Sequence, residues 1–143
     1  MPLESRADIP GILISAEHES PVDMDAFAGR DLTNKAVLVH TEWSRHWQSG
    51  RYFEDHPFLS ARAAEFLASS GAALVGIDSV NIDNMNDKSR PVHTILLQSN
   101  IPIVEHLTNL AELPKSGFRF FAVPAPIEAF SSFPVRAFAI VSE

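Results

Sequence analysis

The sequence predicts an α/β fold with a mixed β-sheet and packed helices, and three consecutive segments carry that prediction. Residues 36–41 form a continuous apolar run rich in β-branched residues, which is typical of a strand buried on both faces. Residues 61–70 then place small and apolar side chains on one face of a helix, and residues 72–77 form a second apolar run. Because a doubly buried strand needs cover on both sides, we expect a β–helix–β unit with a right-handed crossover.

The flanking residues of this helix mark its two ends. Ser60 is a good N-cap, because its hydroxyl accepts a hydrogen bond from a free N–H group of the first turn. Gly71 ends the helix, since glycine readily adopts the left-handed conformation found after a helix C-terminus. Earlier in the chain, residues 9–15 are predicted to form a strand and residues 24–28 one helical turn.

The second half of the chain is expected to add further strands to the sheet. These predicted strands lie at residues 101–104, 118–123 and 135–141. Residues 81–90 are predicted to be a mobile polar surface loop, and residues 110–114 one helical turn. We treat residues 1–143 as a single domain, because this length suits one hydrophobic core.

Composition excludes several classes of protein. The formal net charge of −7 argues against nucleic acid or an anionic membrane surface as a partner. The absence of cysteine excludes disulfides, thiolate metal ligands and a cysteine nucleophile. No apolar run is long enough to span a membrane, and residues 1–10 lack the apolar segment of a signal peptide. We therefore expect a soluble protein located in the cytoplasm.

A histidine and a glutamate twelve positions apart are the first candidate functional pair. Glu105 emerges at the end of the apolar run 101–104, and His93 opens the apolar run 94–97. A carboxylate at the edge of a core costs several kcal/mol unless a cation or strong hydrogen bonds meet it. One imidazole and one carboxylate brought together form half of a zinc or manganese ligand set. Polar pairs at core edges are also a common structural feature, so both interpretations remain open.

The loop after the first buried strand is rich in aromatic residues. Trp43, Trp47 and Phe53 lie in a segment that also carries arginine and histidine. In one interpretation their rings cap the core. In the other they form the wall of a pocket for an aryl substrate, since loops that follow strands often carry binding residues.

Asp78 follows the second buried strand directly. A carboxylate at a strand end in an α/β sheet is placed to line a ligand crevice. The structural alternative, which we favour, is that Asp78 accepts backbone N–H groups and fixes the loop.

Several stretches resemble one family in the right order along nearly the whole chain. They are V-L-V-H-T-E-W-S-R-H-W at 37–47, G-I-D-S-V-N-I-D at 76–83, P-V-H-T-I-L-L at 91–97, I-P-I-V-E-H-L-T-N-L at 101–110, F-R-F-F-A-V-P at 118–124 and F-P-V-R-A-F-A at 133–139. The pattern resembles the cyclase-like metal-dependent hydrolases, which include bacterial kynurenine formamidase and isatin hydrolase. The resemblance implies a fold of the swivelling β/β/α type.

The resemblance also implies a function. In formamidase-type members the matching histidine and glutamate help to hold a second metal ion, which makes His93 and Glu105 candidate ligands of zinc or manganese here. It further implies hydrolysis of an aryl formamide, a lactam or a related amide, an aromatic segment near the active-site entrance, and assembly into homo-oligomers.

The family signature H-x-G-T-H-x-D-x-P-x-H does not occur in this sequence. In the family that motif supplies the remaining metal ligands and a histidine acid/base. We therefore expect this chain to correspond to the C-terminal portion of a family member, truncated at its N-terminal side. Because a catalytic metal site usually needs three protein ligands, we expect little or no hydrolase activity from the isolated chain. The alternative is a non-catalytic remnant or interaction subunit that keeps the fold and the oligomer surface.

Overall fold

Six strands form one mixed sheet in the computed structural model, which describes residues 2–142. The strands are Ile9–Ser15 (β1), Ala36–His40 (β2), Leu74–Ile77 (β3), Ile103–Val104 (β4), Ser116–Phe121 (β5) and Phe138–Val141 (β6). Their order across the sheet is β4–β3–β2–β1–β5–β6. The strands β1 to β4 are mutually parallel, and β5 and β6 add antiparallel strands on the other side of β1. The predicted mixed sheet is confirmed.

Two α-helices, Ala61–Ser69 (α1) and Pro91–Gln98 (α2), pack together on one face of the parallel strands. Ser60 caps α1 as predicted, because its hydroxyl accepts a hydrogen bond from the backbone N–H of Ala63 at 3.1 Å. Short 3₁₀ turns occur at Leu3–Ser5, Met24–Ala26, Trp43–His46, Gly50–Phe53 and Leu110–Glu112. Among residues 2–142, none of the helices has the length and apolar character needed to cross a bilayer.

The strand β2 is buried along its whole length, which explains its unbroken apolar sequence. Its residues alternate between two core clusters. Val37 and Val39 pack in the cluster that contains Leu67 of α1 and Leu96 of α2. Leu38 faces the opposite cluster, together with residues of β5 and of the segment after β4. The sheet is therefore covered on both faces, and the helices supply the cover on one of them.

Gly76 in β3 allows the segment after β4 to lie close to the sheet. A Cβ atom added there would be 2.7 Å from Cδ1 of Leu107 and 2.8 Å from Cδ2 of Leu38, which is closer than carbon atoms can pack. The absence of a side chain at Gly76 thus brings the residues around Glu105 against the ends of the central strands.

The structure corrects two expectations about the second half of the chain. Residues 81–90 are not simply a polar surface loop, because Ile82 and Asp83 are buried. The last strand is shorter than predicted and begins at Phe138. Sequence periodicity did not reveal the burial of Asp83, since most of the segment 81–90 is polar and the groups that bond to Asp83 lie in α2.

Candidate metal and substrate site

Candidate residues collect where the parallel strands end. Thr41 follows β2, Asp78 follows β3 and Glu105 follows β4, so all three lie at the carboxyl edge of the sheet. This edge is the usual position of ligand crevices in α/β sheets, because loops leave the strands there and open a cleft.

The N-terminus of α2 places His93 at this edge, and Asp83 anchors it. Arg90 precedes the helix and makes no side-chain cap. Asp83 supplies the missing acceptor, because its Oδ1 accepts from the N–H of Val92 at 2.7 Å and its Oδ2 from the N–H of His93 at 3.0 Å. Asp83 is only 2% exposed. A buried carboxylate that receives hydrogen bonds from fixed backbone donors is a stable anchor for the first turn of the helix.

The same carboxylate fixes the tautomer of His93. Its Oδ2 lies 2.7 Å from Nδ1 of His93, and an ionised carboxylate only accepts, so Nδ1 carries the proton in the neutral imidazole. Nε2 therefore presents its lone pair away from Asp83. The guanidinium of Arg90, which can only donate, lies 2.8 Å from Nε2 and agrees with this assignment.

Glu105 approaches the same nitrogen from the end of β4. Its Oε1 lies 3.5 Å from Nε2 of His93 and accepts a hydrogen bond from the backbone N–H of Ile82 at 2.8 Å. Two ligand atoms bound to one tetrahedral zinc ion are about 3.4 Å apart, since each lies roughly 2.0–2.2 Å from the metal. The spacing fits a shared divalent cation, and such a cation would displace the guanidinium of Arg90 from the lone pair of Nε2. Among residues 2–142, no group of three or more histidine, aspartate or glutamate side chains has the geometry to hold a metal ion.

The three aromatic candidates lie in different surroundings. Trp43 is buried, and its indole N–H donates to the carbonyl of Tyr52 at 2.9 Å, so it helps to hold the loop together. Trp47 and Phe53 are 59% and 60% exposed, which leaves ring surface open to a ligand. Trp47 lies edge-on to Tyr52, with ring centroids 5.2 Å apart, and also approaches the ring of His106.

Tyr52 connects this aromatic segment to the end of β4. Its hydroxyl lies 3.0 Å from Nδ1 of His106, the residue after Glu105. Burial first, and then the negative charges of Asp78 and Glu105, raises the pKa of Tyr52 to about 12. Tyr52 is therefore a hydroxyl that stays protonated and holds the loop and the strand end in register.

Asp78 is fully buried at the end of β3. Its Oδ1 accepts two hydrogen bonds from Thr41, from the backbone N–H at 2.8 Å and from the hydroxyl at 2.6 Å. Its Oδ2 is the one buried side-chain nitrogen or oxygen of the described residues that has no hydrogen-bond partner. Nε2 of His40 lies 3.9 Å from that oxygen. Burial is the main cause that raises the pKa of Asp78. The contacts to Thr41 match the structural interpretation, in which this carboxylate fixes the loop after β2.

The structure brings His93, Glu105 and Asp83 into one cluster, and sequence reasoning missed Asp83. The sequence did contain a signal for an acceptor such as Asp83. A helix that begins with Arg90-Pro91 has no capping side chain of its own at the N-cap, so an acceptor from elsewhere has to satisfy its first N–H groups. The preceding acidic segment supplies that acceptor. The contact between Tyr52 and His106 was also missed, because the two residues lie 54 positions apart and only the fold pairs them.

The fold and this cluster define a class of protein. The chain belongs to the cyclase family, since the family model described as "Putative cyclase" matches residues 4–84, more than half of the 143 residues.

Individual relatives agree with this assignment. The chain is similar to the kynurenine formamidase of Bacillus cytotoxicus, with 31% identity over 101 residues that make up 71% of this chain and 47% of that protein. A solved structure described as a potential metal-dependent hydrolase with cyclase activity has a TM-score of 0.81 and 25% identity, and the match covers 95% of this chain and 66% of that one. Isatin hydrolase A from Ralstonia solanacearum has a TM-score of 0.84 and 25% identity, over 99% of this chain and 62% of that one. The chain spans about half the length of the curated relatives it matches.

Proposed function

We propose that this chain contributes His93 and Glu105 to the divalent metal site of a cyclase-family hydrolase that cleaves an aryl formamide, a lactam or a related amide. The observation that carries the proposal is the 3.5 Å separation between Nε2 of His93 and Oε1 of Glu105, together with the tautomer that Asp83 enforces. Zinc and manganese both accept an imidazole nitrogen and a carboxylate oxygen as ligands.

Each residue of the cluster has a separate task in this proposal. Asp83 keeps the proton on Nδ1 of His93 and thereby leaves a lone pair on Nε2, which accepts from Arg90 in this structure and would bind the metal in its place. The N–H of Ile82 holds Oε1 of Glu105 in place. A divalent metal bound there would lower the pKa of a bound water and polarise the amide carbonyl.

The substrate class rests on the aromatic segment and on the relatives. Trp47 and Phe53 expose ring faces, and Tyr52 fixes the loop that carries them through its contact with His106. Aromatic rings favour offset or edge-on contact with another ring, which suits an aryl group next to the scissile amide. The similar proteins are named for kynurenine formamidase and isatin hydrolase activities.

A second candidate is a non-catalytic interaction subunit that keeps the family fold. It is favoured by the ligand count, because no set of three ligands exists among residues 2–142. Two ligands hold a metal weakly, so in both candidates the isolated chain has little or no hydrolase activity.

Titration calorimetry with zinc and manganese chloride separates the two candidates. We expect weak binding to the wild-type chain, with a dissociation constant on the order of 10 µM, that is lost in His93→Ala and in Glu105→Ala. Asp83→Asn keeps both ligands but weakens the constraint on the tautomer, so its affinity falls by about tenfold or more. His18→Asn is the matched control, since His18 is exposed and its positive φ suits asparagine. No heat from either metal with the wild-type chain contradicts the proposed site and favours the interaction subunit.

We also propose that the chain self-associates through the β6 edge of the sheet. Phe138 and Ile140 are exposed on this edge strand, and an exposed apolar edge favours pairing with another chain. Light scattering after size exclusion tests this, and a monomer at all concentrations rules it out. The expected cytoplasmic location stays a prediction.

A further inference from the structure

A cleft of about 190 Å³ lies between residues 53–58 and the segment after β3. The residues that matter for its chemistry are Phe53, Asp55, His56, Phe58 and Asn84. His93 and Glu105 do not line it, so it is separate from the proposed metal site.

His56 is the only histidine of this cleft, and it is almost fully buried, with 4% of its surface exposed. Its Nδ1 lies 2.9 Å from the carbonyl oxygen of Pro57 and 3.2 Å from Oγ of Ser79. A carbonyl oxygen only accepts, and the hydroxyl of Ser79 already donates to the same carbonyl at 2.7 Å. Nδ1 is therefore the donor, and in the neutral imidazole Nε2 carries a lone pair.

That lone pair opens into the cleft. No side chain or backbone group among residues 2–142 makes a hydrogen bond with Nε2 of His56. Nε2 of His56 is nevertheless accessible to solvent. In the described part of the chain, Oδ2 of Asp78 is the one fully buried side-chain nitrogen or oxygen that has no hydrogen-bond partner. Since Nδ1 points inward to Pro57 and Ser79, Nε2 on the other side of the ring reaches the space that His56 lines. An acceptor in a narrow cleft that has no protein partner can exchange its water for a donor brought by a ligand.

The other groups around the cleft favour the same kind of ligand. Asp55 contributes a negative charge, and no lysine or arginine lines the cleft. Phe53 and Phe58 contribute aromatic rings, whose faces attract cations. An ammonium group that carries N–H donors interacts favourably with all of these groups, the imidazole acceptor, the carboxylate and the two aromatic rings.

We infer that this cleft binds a small organic primary ammonium, with its N–H group donating to Nε2 of His56 and its apolar part lying against Phe53 and Phe58. The inference goes beyond the proposed hydrolase function and does not depend on the metal site, although the cleft shares Phe53 with the proposed aryl pocket. A volume of about 190 Å³ suits a ligand of benzylammonium size.

Amide NMR titration of the 143-residue chain with matched probes tests the ligand chemistry. Benzylammonium should bind with a dissociation constant on the order of 1 mM and shift the amides of residues 53–58 and 84–86. Benzyltrimethylammonium keeps the charge and ring but has no N–H donor, so it should bind about tenfold more weakly. Benzoate should not bind, because its charge is repelled by Asp55. Equal binding of the two cations overturns the hydrogen bond to His56, and binding of benzoate or absence of shifts with benzylammonium overturns the site.

Variants of the cleft sharpen the test. Asp55→Asn should weaken benzylammonium binding about threefold, whereas Glu54→Gln, which removes the same charge from the neighbouring exposed residue outside the cleft lining, should leave it unchanged. His56→Asn replaces Nδ1 with an amide nitrogen that can donate to Pro57 and removes Nε2, so it should abolish the preference for benzylammonium over benzyltrimethylammonium. If that variant does not fold, the comparison of the two cations with the wild-type chain decides the question. Equal binding by Asp55→Asn and the wild-type chain contradicts the role of Asp55.

Discussion

Two aspartate–histidine pairs at the carboxyl edge of the sheet have opposite environments. Asp83 lies 2.7 Å from Nδ1 of His93, and both of its oxygens accept hydrogen bonds. Asp78 lies 3.9 Å from Nε2 of His40, and its Oδ2 has no hydrogen-bond partner among the described residues. Both carboxylates are buried. They differ in how many fixed donors surround them.

The difference shows what fixed donors do for a buried charge. Three hydrogen bonds at Asp83 compensate its loss of hydration, so it can orient His93 and hold the start of α2. At Asp78 only one oxygen has hydrogen-bond partners. Burial is the largest influence on this carboxyl and raises its pKa. Asp83 therefore orients the side chain of His93, whereas Asp78 has a raised pKa and fixes the loop after β2 through Thr41.

The largest loss of stability is expected from removing the carboxylate of Asp83. Asp83→Ala leaves two backbone N–H groups of α2 and Nδ1 of His93 without their acceptor, so the free energy of unfolding should fall by about 3 kcal/mol. Urea unfolding followed by circular dichroism measures it. The matched control is Asp87→Ala, because Asp87 in the same segment is exposed and its side chain accepts hydrogen bonds only from Ser89. Equal losses in the two variants would mean that Asp83 is not the anchor of α2.

A smaller, pH-dependent effect is expected at Asp78. Its pKa in the folded protein is above the usual value of 3.8, so between these two pKa values the folded state binds more protons than the unfolded state. The stability contributed by Asp78 is present below pH 3.8 and is lost as pH rises through the folded pKa. Asp78→Asn keeps an oxygen for Thr41 but cannot ionise, so its stability relative to the wild type should increase from pH 4 to pH 7. Parallel stability curves over this range, measured by urea unfolding, would contradict the raised pKa.

The smallest effect is expected on the pKa of Tyr52 when the charge of Asp78 is removed. This pKa is raised first by burial and then by the charges of Asp78 and Glu105. Tyr52 is the single tyrosine of the chain, so absorbance at alkaline pH follows it alone. We expect the wild type to titrate at about 12 rather than 10.0, and Asp78→Asn to lower this pKa part of the way. Burial is the first cause, so most of the shift should remain. Titration near 10.0 in the folded protein would show that the Tyr52 hydroxyl is solvated.

Much of the fold could be predicted because its central elements are determined by local pattern. The strand Ile9–Ser15 has the predicted bounds, and α1 ends within one residue of its prediction. The unbroken apolar run of β2 correctly indicated a strand covered on both faces. The start of β6 was less predictable, because its apolar run continues upstream while pairing with β5 begins only at Phe138.

The candidate site was predictable only in part. The sequence identified His93 and Glu105, since each borders an apolar run, and the structure places them 3.5 Å apart. It did not identify Asp83, His56 or the contact of Tyr52 with His106, because those partners come from separate segments.

The sequence by itself determined the α/β class, the family resemblance and the residue types that can bind a metal, because periodicity and composition are local properties. Only the tertiary structure decided which buried carboxylate receives hydrogen bonds at both oxygens and which histidine nitrogen is left with its lone pair. Hydrogen-bond satisfaction depends on atoms brought together across the sheet, and neither spacing nor propensity along the chain encodes that distance.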